Sequence, residues 1–121
     1  MRIGKLLPLL AAVVLQVGCG GSSTDGSPIL VATTLDRVQC QLQSGRRVSS
    51  ITQSLASAGI AAVLKGCTTD GYFYPAVCGA GTGALVVYEI GSNQLGAAQA
   101  VGFAPTSAWP SIRSVFDCPS E

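Results

Sequence analysis

Histidine is absent from all 121 residues, and charged side chains are scarce, with 7 Lys and Arg against 6 Asp and Glu. Without imidazole, the Ser-His and Cys-His pairs that activate most nucleophiles cannot be built. No Cys-x-x-Cys spacing occurs, so the closely spaced ligand sets of zinc sites are missing, and neither a metal nor a cofactor is expected. Phosphate-backbone binding draws on many Lys and Arg contacts, yet only Arg46 and Arg47 are adjacent, which makes nucleic acid a poor partner. The one long apolar run, Leu6 to Val17, has twelve residues. That is roughly 18 Å of helix against a hydrocarbon core of about 30 Å, too short for a permanent span.

What is present at the N-terminus is an export signal. Arg2 and Lys5 precede the apolar run, which ends at the small pair Gly18-Cys19. The segment Leu15-Gln16-Val17-Gly18-Cys19 resembles the lipobox of bacterial lipoproteins, with Gln16 where that family usually carries Leu and Leu15 displaced by one. The resemblance covers about the first twenty residues. It implies cleavage before Cys19, a diacylglycerol on that cysteine and, with Gly20 rather than Asp next, sorting to an outer membrane that would face the domain to the periplasm or the surface. The competing reading is ordinary secretion with a cut near Cys19 and no anchor. Residues 1–18 are thus expected to be a signal peptide, 19–33 a flexible tether and 34–121 a single domain. After cleavage the chain carries five cations, Arg37, Arg46, Arg47, Lys65 and Arg113, against six carboxylates, a net charge of minus one.

Four further cysteines, Cys40, Cys67, Cys78 and Cys118, form an even set in a small exported domain, which reads as two disulfides. Three pairings are possible. The preferred one joins Cys67 to Cys78 and Cys40 to Cys118, with chain-entropy contributions of about 3 and 4 to 5 kcal/mol.

Within the domain, Val48, Ile51, Leu55 and Ala58 recur at helical spacing and Gly59 follows as a C-cap, predicting a helix over 46–58. Ile60 to Leu64 reads as a short buried strand and 66–83 as a long connection. Ala84 to Ile90 is the clearest strand, β-branched, aromatic and flanked by glycines. Ser92 is placed to cap a second helix over 93–101, with Leu95, Ala98 and Val101 inward and Gly102 at its end. Val38 to Leu42 suits an edge strand or a helix equally, and the tail holds one short element around 112–116. The expected fold is α+β, a small antiparallel sheet with two helices packed on one face, stapled by two disulfides.

Three segments invite a functional reading. Gly79-Ala80-Gly81-Thr82-Gly83 leads into a strand rather than a helix and has no Walker-type Lys, so a turn or bulge is preferred to a phosphate loop. Asp36, Asp70, Glu89 and Asp117 show no spacing that pairs any two, and read as solvated acids; no catalytic residue is assigned. Tyr72, Phe73 and Tyr74 are consecutive in the long connection, so at least one should face away from the core and is a candidate contact residue for a protein or a cell-wall component; the competing reading is a loop that folds back to complete a small core. The expected function is a lipid-anchored, non-enzymatic binding module of the envelope. Alternatives are a secreted inhibitor of an enzyme such as lysozyme, a structural envelope component, and a hydrolase using only carboxylates.

Overall fold

The computed structural model describes residues 26–41 and 43–121. The signal peptide, Cys19, the tether as far as Asp25, and Leu42 lie outside the described residues. Among those described, no helix is long and apolar enough to cross a membrane.

Four antiparallel strands, β1 (Pro28–Thr34), β2 (Val63–Thr69), β3 (Ala84–Gly91) and β4 (Ala104–Pro105), form one sheet in the order β2-β3-β1-β4. Helices α1 (Val48–Ser57) and α2 (Leu95–Ala100) complete the α+β domain. Side chains alternate along β3, and Val86, Tyr88 and Ile90 pack with Val31 of β1 against Val48, Ile51 and Leu55 of α1 and Ala98 of α2. Both helices therefore cover the same face. Tyr88 is fully buried; its hydroxyl meets Thr52 Oγ1 of α1 at 2.6 Å, and its ring packs edge-on against Phe103.

The opposite face is closed too. Ala32, Leu85 and Val87 are fully buried there, so part of the chain must cover them. The chain after β4 does: Thr68 donates to Ser114 O at 3.1 Å, and a Cβ added at Gly66 would strike Val115 and the Phe116 carbonyl. At the far edge Phe116 pairs with Cys67, with N–H···O bonds of 2.7 and 2.9 Å exchanged between them. Glu121 Oε1 then accepts from Ser49 N at 3.0 Å, supplying a carboxylate to a helix N-terminus that has no side-chain cap of its own. The tail is thus a strap running from one sheet edge, across the back, to the other.

Several expectations need correction. The fold begins well before residue 34, because Ile29-Leu30-Val31-Ala32 is an apolar, β-forming run; Pro28 is tolerated as the first strand residue, and β1 is internal to the sheet. The strand after α1 starts at Val63 rather than Ile60 and continues through Thr69 into the expected connection, carried past Lys65 and Gly66 by a bulge. Ile60 instead seals the helix end, its N–H bonded to Leu55 O, with Gly59 at φ 75° as expected of the cap. The second helix opens as a 3-10 turn at Ser92–Gln94 without a Ser92 cap, and Val101 faces outward. Residues 38–41 form neither a regular strand nor a helix.

The disulfides are Cys40–Cys78 and Cys67–Cys118, spanning 38 and 51 residues. The preferred pairing, which stapled the shortest loop, is wrong. Cys67 is 3% exposed on the helix-covered face of β2, where the strap brings Cys118, while Cys78 lies on a limb that returns alongside Cys40. Each loop is worth about 4 kcal/mol on the chain-entropy model. Proteolysis of the unreduced protein should release Cys40 and Cys78 peptides joined to each other and Cys67 and Cys118 peptides likewise; a Cys67–Cys78 linked mass would contradict the topology.

Candidate functional site

The antiparallel register that joins β1 to β3 does not stop where the sheet ends. Leu35 N donates to Ala84 O at 2.9 Å, Thr82 N to Arg37 O at 3.1 Å, and Gln39 N to Ala80 O at 2.7 Å, each pair lying on the continuation of the strand register. The result is a two-limbed arm that extends the two central strands beyond the sheet. Cys40–Cys78 crosslinks its far end. Two non-glycine residues of the arm, Asp36 at φ 54° and Cys40 at φ 67°, hold left-handed backbone, which explains why residues 38–41 alternate like a strand without forming one.

From this arm the aromatic segment loops outward, fixed at its base by one carboxylate. Asp70 is 7% exposed; its Oδ1 accepts from Tyr72 N at 3.0 Å, its Oδ2 accepts from the Tyr74 hydroxyl, and its own N–H bonds Gly83 O at 2.9 Å. Gly83, at φ 70°, leaves room for this arrangement, since a Cβ there would come within 2.6 Å of the Tyr74 ring. The Gly79 to Gly83 run is therefore the return limb of the arm, paired with residues 37–39.

The three aromatics divide by role. Tyr74 is half-buried and tied to Asp70, so it is part of the loop's frame. Phe73 is 94% exposed, Tyr72 57% and Val77 60%. No Asp, Glu, Lys or Arg occurs from Gly71 through Tyr88, so this exposed surface is uncharged.

Beside the loop lies an open cleft of about 170 Å³, lined by Asp36, Arg37, Asp70, Tyr74 and Thr82 among others. Asp36 and Asp70 thus share a site, although 34 positions apart and read from the sequence as unrelated surface acids. Only the arm's register, invisible in either segment alone, brings them together. Asp36 accepts from Thr34 Oγ1 at 2.9 Å. The other two candidate acids stay apart: Glu89 lies 3.8 Å from Lys65 in an exposed ion pair, and Asp117 is exposed on the strap. Arg46 is not simply solvated, because its Nη1 donates to Thr33 Oγ1 at 3.1 Å and to Thr34 O at 3.2 Å. Trp109 is half-buried at the start of the strap. Among the described residues, no group of three or more Cys, Asp or Glu is arranged to hold a metal ion.

The hydrogen bond to Asp70 holds the Tyr74 pKa above the ordinary 10.0, and burial does the same for Tyr88. In both cases the folded protein keeps a proton that the unfolded chain gives up, so the associated stability is complete below pH 10.0 and is lost as pH rises beyond it. Denaturant titrations should show this alkaline decline, and Tyr74→Phe should make it shallower. Asp70→Asn, which weakens two charge-assisted bonds at a buried site, is expected to cost about 1 to 3 kcal/mol in the same assay; wild-type stability would show that Asp70 does not hold the loop.

Comparison with protein-family models, curated proteins and solved structures finds no match to this chain.

Proposed function

We propose that the protein is a lipid-anchored lipoprotein of the bacterial envelope, sorted to the outer membrane, that acts as a non-enzymatic binding module through the 71–78 loop. The observation that carries this reading is Phe73, a large apolar side chain left 94% exposed on a loop whose base is fixed by a buried carboxylate and whose return limb is crosslinked. Exposing an aromatic ring wastes burial worth about 1.5 to 3 kcal/mol, so a fixed and fully displayed phenylalanine is better explained by a ligand than by folding. A fixed loop also loses little conformational entropy on binding.

The sheet sets the geometry of presentation. The tether enters β1 at Pro28, opposite Gly91, whereas the arm and loop leave from Thr34, opposite Leu85. Seven strand residues separate these ends, roughly 20 Å at about 3.3 Å per residue. The chain thus enters the domain at one end of β1 and the aromatic loop leaves from the other, which supports a loop held away from the anchor. The absence of histidine, together with the engagement of Asp70 in loop structure, supports a binding rather than a catalytic role.

Cys19→Ala should move the protein from the membrane fraction to the soluble fraction. Tyr72→Ala combined with Phe73→Ala should leave anchoring and thermal stability unchanged while abolishing recovery of the cross-linked partner from envelope preparations. Unchanged recovery by the double variant would overturn the assignment of the loop.

A further inference from the structure

Resting on the binding-module reading, we propose that the ligand of the 71–78 loop and its adjoining cleft is an uncharged or weakly charged polysaccharide chain, engaged one or two sugar units at a time. Three features of the site support this ligand class over a protein partner.

The first is size. A stable protein interface uses roughly 20 to 30 residues a side, whereas the segment from Gly71 to Gly79 supplies eight exposed residues around the half-buried Tyr74. So few residues suit a small ligand. The second is charge. The loop has no ionisable group from Gly71 to Cys78 beyond its tyrosine hydroxyls, and the cleft carries charges of both signs, Asp36 and Asp70 with Arg37, so the site has no single-sign surface to select a charged peptide or headgroup.

The third is the mixture of surfaces. A sugar ring presents aliphatic C–H groups on its faces and hydroxyls around its edge, and therefore needs a flat aromatic surface next to directional polar groups. Tyr72 and Phe73 supply exposed aromatic rings. The neighbouring cleft of about 170 Å³, lined by Tyr74 rather than by these two rings, carries Asp36, whose exposed carboxylate accepts hydrogen bonds. Tyr74 lines the same cleft, joining the aromatic surface to the polar one. A purely hydrophobic partner would meet carboxylates in this cleft and leave them desolvated, at a cost. Hydroxyls would satisfy them, and ligand sites commonly combine an aromatic lining with a few placed polar groups.

The test is titration of the oxidised, folded domain with soluble tetrasaccharides of β-1,4-linked glucose, β-1,4-linked N-acetylglucosamine and mannose, followed by backbone amide NMR. Saturable shifts confined to residues of the loop and cleft are expected with at least one of them. Phe73→Ala should weaken that binding tenfold or more, and so should Asp36→Asn, which keeps a residue tolerant of left-handed backbone. Thermal melts confirm that each variant is folded. No saturable shift with any oligosaccharide, or binding equal to wild type in both variants, would overturn the proposal. A photo-crosslinker replacing Tyr72 separates that failure from failure of the underlying reading. Crosslinking to a single protein in place of glycan would refute the ligand class while keeping the loop as a binding surface, and no crosslink of either kind would remove both.

Discussion

The structure turns on burying one strand on both faces with very little chain. β3 is the spine of the sheet, and Leu85, Val86, Val87 and Tyr88 are all fully buried, so each of its faces needs a cover. Two short helices suffice for one face. The other is closed by an irregular strap, which lacks the repeating hydrogen bonds of a helix or strand and has to be held in place. Phe116 pairing with Cys67, and the Cys67–Cys118 bond beside it, provide that hold. A domain of about ninety residues has a modest core, and covalent closure of the strap offsets what the core cannot supply.

The same central pairing produces the candidate site. Because β1 and β3 continue their register past the sheet edge, the segments 35–40 and 79–84 are carried outward together and crosslinked at Cys40–Cys78. The aromatic loop grows from this arm and is braced by Asp70. The two disulfides therefore serve different ends: one secures a face of the core, the other secures the presentation of an exposed loop.

Local features were readable from sequence where the signal was local. The helix with Val48, Ile51 and Leu55, its Gly59 terminus, the strand at 84–90 and the α+β class all follow from periodicity and turn residues. Exposure of at least one aromatic among residues 72–74 followed from alternation, and Phe73 bears it out. The failures share a cause. Disulfide pairing, the strap, the entry of Ile29 to Ala32 into the sheet and the meeting of Asp36 with Asp70 all depend on which distant segments become neighbours. Cys78 belongs to a limb that the β1–β3 register commits to Cys40, which loop length alone does not reveal. The glycine-serine run before Pro28 has a tether's composition, yet the four consecutive apolar residues Ile29 to Ala32 carry the chain into the sheet.

Everything proposed for the loop requires that it be held as a fixed surface rather than sampling many shapes. Residue-resolved hydrogen exchange on the oxidised protein measures this directly. The account predicts slowest exchange in Val86 to Tyr88 of β3, and clear protection at Asp70, Tyr72, Gly79 and Thr82, whose amides bond Gly83 O, Asp70 Oδ1, Gln39 O and Arg37 O. Uniformly fast exchange from Asp70 through Thr82, with β3 still protected, would show a stable core carrying an unstructured loop, and would contradict it.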